Sequence, residues 1–210
     1  MPAGTMTISL NNISKRFQRH WIFKDISYSF TSPGAYALLG PNGSGKSTLL
    51  RIIAGMQSVS KGSIGYTVNG TATETAKLFP YVSFTAPGQE IVEDLTLEEF
   101  LQFHFSFKKP LPGLDIPAII NRIGLETSAH KPIGDYSSGM KQRVKLAQAI
   151  FSDTPILLLD EPCTNLDQQG VEQYRSWIEQ YAANRLVIVA SNDTREYFFC
   201  KEHLAIEDYK

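Results

Sequence analysis

The nine residues GPNGSGKST, Gly40 to Thr48, stand between the apolar run AYALL and the helix-patterned TLLRIIAG. Glycines at 40, 43 and 45 admit backbone conformations closed to residues that carry a Cβ. Successive N–H groups in such a loop can turn toward one point. A strand enters the loop and a helix leaves it. The strand needs a sheet and the helix must cover one face of that sheet, so an α/β architecture is required.

The spacing matches the P-loop pattern in full, in the strand–loop–helix setting that the pattern needs. Gly40, Pro41, Asn42, Gly43, Ser44 and Gly45 then form a loop whose backbone N–H groups, which Pro41 alone lacks, cradle phosphate oxygens, and Thr48 closes the motif. The helix start adds its partial positive charge. Lys46 is expected to reach the β- and γ-phosphates, and Ser47 to offer its hydroxyl to Mg²⁺. The competing reading, a glycine-rich turn that happens to contain lysine, leaves the full match unexplained. A nucleoside triphosphate site is expected.

A second stretch, ILLLDEP (Ile156 to Pro162), runs four aliphatic residues straight into two carboxylates. A strand buried on both faces is continuously apolar, and ligands of open α/β sheets bind beyond the carboxyl ends of the strands. Asp160 can hold Mg²⁺, and Glu161 can polarise a water attacking the γ-phosphate. A strand merely ending in two solvated carboxylates is the alternative.

Short apolar runs alternate with helical patterns, as in a chain with a mainly parallel sheet. Strands are predicted at TISL, DISYSF, AYALLG, YVSFT, PILLLD and RLVIVAS, with another in GSIGYTVNG between Gly62 and Gly70. The strands before Gly40 have no helical segment between them, which predicts a small antiparallel layer at the N-terminal side. From Thr96, spaced from Glu99 as in a capping box, the pattern becomes helical. One domain over 1–210 is expected, with 1–89 and 151–210 as the ATP-binding core and 90–150 as a helical subdomain. KKPLPGLDIP is a proline-rich loop within that insert.

DYSSGMKQR, Asp135 to Arg143, is a third motif, and in the order of the other two it resembles the signature of ABC transporter ATP-binding subunits, Leu-Ser-Gly-Gly-Gln. Ser137 and Gly139 are retained, and the Tyr-Ser-x-Gly-Met form resembles that of subunits serving exporters. Read alone, YSSG is an ordinary helix N-cap. The resemblance extends from about Thr7 to Tyr209. It implies ATP and Mg²⁺ as ligands and two subunits dimerising head to tail. Ser137 and Gly139 then close on the partner's ATP, and NLD, Asn165 to Asp167, runs along the seam. It also implies a separate integral membrane subunit that docks on the helical insert, where Phe100, Phe103, Phe105 and Phe107 are either core or groove lining. Phe17 falls where the family places an aromatic on adenine; Trp21 is the rival.

Two positions depart from the family. Its loop glutamine before the helical insert is replaced by Pro87, with Gln89 two residues later as a substitute. Its histidine after the last core strand is Asn192, which can donate a hydrogen bond to phosphate but cannot carry a proton or a charge. Slow turnover is expected from Asn192 and Pro87.

Composition fits this reading. The formal net charge of −1 gives no basic excess for nucleic acid. Cys163 and Cys200 lack metal-type spacing and suit a reducing compartment. His20, His104, His130 and His203 share no ligand spacing. MKQRVK reads as the polar face of a helix. The N-terminal ten residues show no leader pattern, and no apolar run has membrane-spanning length. The chain is thus expected to be a cytoplasmic ATPase, peripheral on the inner face of the membrane and powering transport. The alternatives are an ATP-gated dimerising switch with little hydrolysis, an ABC-type ATPase outside transport, and, less well supported, a P-loop kinase.

Overall fold

The computed structural model describes residues 5–210; residues 1–4, which head the 1–89 segment and the stretch read as lacking a leader, lie outside the described residues. The chain begins with a long hairpin, β1 (Met6–Phe17) and β2 (His20–Thr31). Both strands run well beyond the predicted TISL and DISYSF. The extension is irregular: register shifts fall between Leu10 and Ile13, Ile13 and Lys15, and Lys15 and Arg16. Asn12 and Asp25 adopt positive φ there. Bulges of this kind break the two-residue alternation by which a strand is recognised in sequence.

β3 (Gly34–Leu39) leads into the glycine loop and α1 (Lys46–Ile53). β4 (Lys61–Val68) and the short β5 (Thr71–Thr73) return to the hairpin, giving an antiparallel sheet in the order β2-β1-β4-β5. β6 (Val82–Thr85) precedes three helices, α2 (Leu97–Phe107), α3 (Ile116–Arg122) and α4 (Ser138–Ile150). β7 (Ile156–Asp160), α5 (Gln168–Tyr181), β8 (Leu186–Ala190) and β9 (Glu202–Ala205) complete the chain before a final 3-10 turn, Ile206–Tyr209. The second sheet runs β6-β7-β8-β3-β9, with all four pairings parallel.

Alternate residues of the inner strands feed two cores. Ile156, Leu158, Leu186 and Ile188 join Leu49, Ile52 and Phe23 between the parallel sheet, α1 and the antiparallel layer. Leu157, Leu159, Val187 and Val189 face the opposite way, onto Val144, Ala147, Tyr174 and Ile178 of α4 and α5. Every residue of β7 and β8 is buried, which is why ILLL and LVIV read as unbroken apolar runs. The capping box at the head of α2 is formed: the Glu99 N–H donates to Thr96 Oγ1, and the Thr96 N–H donates to Glu99 Oε2 at 2.9 Å. No helix among the described residues is long and apolar enough to cross a membrane.

Candidate functional site

Because β3 and β7 are parallel members of one sheet, their carboxyl ends deliver the glycine loop and Asp160–Glu161 to the same edge. Asn42, Gly43, Gly45, Lys46, Ser47, Thr48, Ile22 and Glu161 enclose a cavity of about 200 Å³ there. Gly45 caps α1 at φ 110°, and a Cβ on it would stand 2.4 Å from Ile22 Cγ2, so loop and hairpin meet in a space that only glycine leaves open. Ser44 is buried beneath the loop; its N–H donates to the Pro41 carbonyl at 3.0 Å, and its Oγ stands 2.7 Å from where a Cβ on Gly40 would be.

Lys46, 5% exposed, donates from Nζ to the carbonyl oxygens of Gly40 at 2.6 Å and Pro41 at 3.3 Å. Ser47 Oγ donates to Asp160 Oδ1 at 2.9 Å. Burial raises the Asp160 carboxyl above its ordinary range; the Ser47 hydrogen bond opposes this, Glu161 adds to it, and Arg51 and Lys46 pull it down. A hydroxyl and a carboxylate brought together are hard oxygen donors that suit Mg²⁺, which takes few protein ligands and keeps water or phosphate oxygens for the rest. Glu161 follows at φ 42°, with its N–H still donating to the Ala190 carbonyl of β8 at 2.9 Å. The strand thus fixes its backbone while its side chain lines the cavity. Asn192 Nδ2 donates to Asn42 Oδ1 at 3.3 Å, joining the segment after β8 to the loop.

Ser137 and Gly139 lie elsewhere. Ser137 caps α4, accepting from the Met140 N–H at 3.3 Å. With Gly139, Arg143, Asn165 and Asp167 it lines a separate cavity of about 500 Å³. That cavity and the loop cavity share no lining residue. A Cβ on Gly139 would approach the Asn165 carbonyl oxygen to 3.0 Å. Phe17, 47% exposed, ends β1 with Lys15 Nζ 5.1 Å from its ring centroid, while Trp21 is flanked by Arg16 and Lys61.

Gln89 is not brought to the glycine loop. It lines a groove of about 410 Å³ between the end of α1, β6 and α2, and its Oε1 is buried without a hydrogen-bond partner. The Ala86 carbonyl accepts from its N–H at 3.0 Å. The Pro87 carbonyl accepts from Lys145 Nζ at 2.7 Å. The aromatic residues of α2 divide: Phe100 is buried, Phe105 is partly buried against the helical core, and Phe103 and Phe107 are exposed on the groove.

Three supports escaped the sequence. Gln142 Nε2 donates to the Pro162 carbonyl at 2.8 Å, and Arg143 Nη2 pairs with Asp167 at 3.5 Å, so α4 holds the segment that follows Glu161. Glu196, buried and with its carboxyl raised chiefly by desolvation, accepts from the Cys163 N–H through Oε1 at 2.6 Å. In sequence MKQRVK reads as the polar face of a helix and Glu196 belongs to no motif, and only their neighbours in the fold give them this task.

The ABC transporter family model matches residues 23–164. An uncharacterized ABC transporter ATP-binding protein of Bacillus subtilis, YybJ, is 31% identical over 201 residues, covering 95% of this chain and 91% of its own. A second from the same organism, YhcH, is 29% identical over 95% of this chain, which spans 66% of that protein's length. Among solved structures, a dimeric ATP-binding cassette in a post-hydrolysis state with ADP and Pi superposes with a TM-score of 0.80 at 21% identity, covering 94% of this chain and 93% of that one.

Proposed function

The chain belongs to the ABC transporter family, and from that premise we propose that it is the ATP-binding subunit of a transporter, hydrolysing ATP to drive a separate membrane subunit. The observation that carries this reading is the Ser47–Asp160 contact beneath the glycine loop, with Glu161 on the wall of the same cavity. The loop N–H groups and Lys46 hold the phosphates, and Asn192, tied to Asn42, stands at their rim. Glu161 takes a proton from the attacking water as that water adds to the γ-phosphorus and the bond to the bridging oxygen breaks. Ser47 and Asp160 are the residues that would hold Mg²⁺, which would supply positive charge to offset that developing on the phosphate oxygens.

Dimerisation is head to tail. A second anion site at the head of α4, facing a cavity separate from the loop, has a use when a neighbouring chain's nucleotide fills it. The membrane subunit docks in the groove beside α2. Met56, Phe79, Phe103 and Phe107, four of the six large hydrophobic residues exposed among the described residues, line that groove. The subunit therefore works at the inner face of the membrane.

Steady-state phosphate release by the purified chain, beside Glu161→Gln, tests the reading. Release that disappears in the variant while ATP binding persists is the expected result. Wild type that binds ATP yet releases no more phosphate than the variant, even with its membrane partner supplied, points to a nucleotide switch instead.

A further inference from the structure

Lys210 is exposed, yet its ammonium is held in place. Nζ donates to the Ser44 carbonyl at 2.8 Å and to the Ile22 carbonyl at 3.0 Å, so its partners are two backbone oxygens rather than a carboxylate. Ile22 and Gly45, whose N–H shares a peptide with the Ser44 carbonyl, line the loop cavity, whereas Ser44 does not. The turn that carries Lys210 sits under the same loop: Ile206 is fully buried, and its Cβ is 3.7 Å from where a Cβ on Gly40 would be.

The peptide between Ser44 and Gly45 is planar and trans, so its C=O and N–H point in opposite directions. A cation that holds the Ser44 carbonyl on the underside of the loop therefore holds the Gly45 N–H toward the other side, where Gly45 lines the cavity. Glycine resists rotation of that plane poorly, because it tolerates both signs of φ. Ser44 offers no alternative hold, since its own Oγ is buried without a hydrogen-bond partner. An ammonium on the carbonyl also polarises the peptide and strengthens its N–H as a donor.

We propose that Lys210 is a positioning residue of the phosphate cradle, fixing the Ser44–Gly45 peptide so that the Gly45 N–H faces the phosphate oxygens. This rests on the nucleotide reading above. Lys210 touches the loop from behind and acts through Gly45.

The test compares wild type with Lys210→Met, which keeps the stem and removes the charge, and Lys210→Arg, which keeps the charge. Each is titrated with MgATP and with adenosine, and the ¹⁵N resonance of Gly45 is recorded without nucleotide. Lys210→Met is expected to weaken MgATP binding about tenfold, to leave adenosine binding unchanged and to shift the Gly45 resonance; Lys210→Arg restores most of the affinity. Wild-type affinity together with an unmoved Gly45 resonance in Lys210→Met overturns the proposal. So does an equal loss for adenosine, which marks general damage. Should the methionine variant not fold, Lys210→Gln gives the same two readings. A wild type that fails to bind MgATP sinks the nucleotide reading, and a shifted Gly45 resonance would still uphold the role of Lys210 in orienting the peptide.

Discussion

Ser47 and Asp160 are 113 residues apart in the chain and 2.9 Å apart in the fold, the hydroxyl donating to the carboxylate. The contact joins the first turn of α1 to the last residue of β7. It places a carboxylate that is 3% exposed under the glycine loop.

That burial sets stability against function. A carboxyl with a raised folded pKa favours the fold below its unfolded value of 3.8, and the benefit is lost as pH rises through the folded value. At neutral pH the buried charge is therefore a cost. Asp160→Asn should raise the unfolding midpoint by about 2 °C or more, while Mg²⁺-dependent phosphate release falls by roughly 10²-fold or more. Calorimetry and a release assay on one preparation check both; a variant that is less stable and inactive refutes the trade.

Asn192 can hold the loop through Asn42 but brings no charge to it. Asn192→His should raise steady-state turnover about tenfold, the effect of exchanging a neutral hydrogen bond for a charge-assisted one. Turnover unchanged or lower in the variant would show that Asn192 does not limit the rate.

A Cβ on Gly139 would press on the Asn165 carbonyl oxygen at 3.0 Å. Gly139→Ala should lower ATP turnover about tenfold or more, since the carbonyl must retreat by a few tenths of an ångström and the proposed seam with a second copy would shift with it. Nucleotide affinity of the isolated chain should stay as in wild type, because Gly139 does not line the loop cavity. Equilibrium binding beside kcat separates the two effects.

His104, on the groove, is held neutral: burial first, then Lys108, push its pKa from 6.5 to about 4, while the Gln148 backbone works against them. A depressed folded pKa gives stability that is full above 6.5 and is lost as pH falls through about 4. Wild type should lose on the order of 2–3 kcal/mol across that window from this group, and His104→Gln should flatten the slope. Denaturant unfolding at pH 7, 5.5 and 4 reads it directly.

The sequence made the glycine loop, ILLLDEP and the signature legible, because each is a local pattern whose chemistry needs adjacent residues. β7 and β8 were equally plain, since burial on both faces leaves no polar interruption. The full length of β1 and β2 was not, for their bulges place Asn12 and Asp25 where alternation calls for strand residues. β9 escaped because EHLA carries little strand signal, and its pairing to β3 is decided by the fold. Gln89 shows the limit most clearly. Its place two residues after Pro87 offered it as the substitute for the family's loop glutamine, while the fold sets it in the groove beside α2. Glu196, Gln142 and Lys210 act through backbone groups of distant segments, and no spacing rule reports such contacts.

The loop and signature cavities share no wall, and this bears on reaction order. If each working site is assembled from halves of two chains, a lone copy can capture ATP but has nothing to close over it. Phosphate release from dilute protein should then climb with the square of concentration and turn linear once pairing saturates. A cell would hold the activity in check by abundance alone, and a membrane subunit that seats two copies side by side would abolish that dilution threshold.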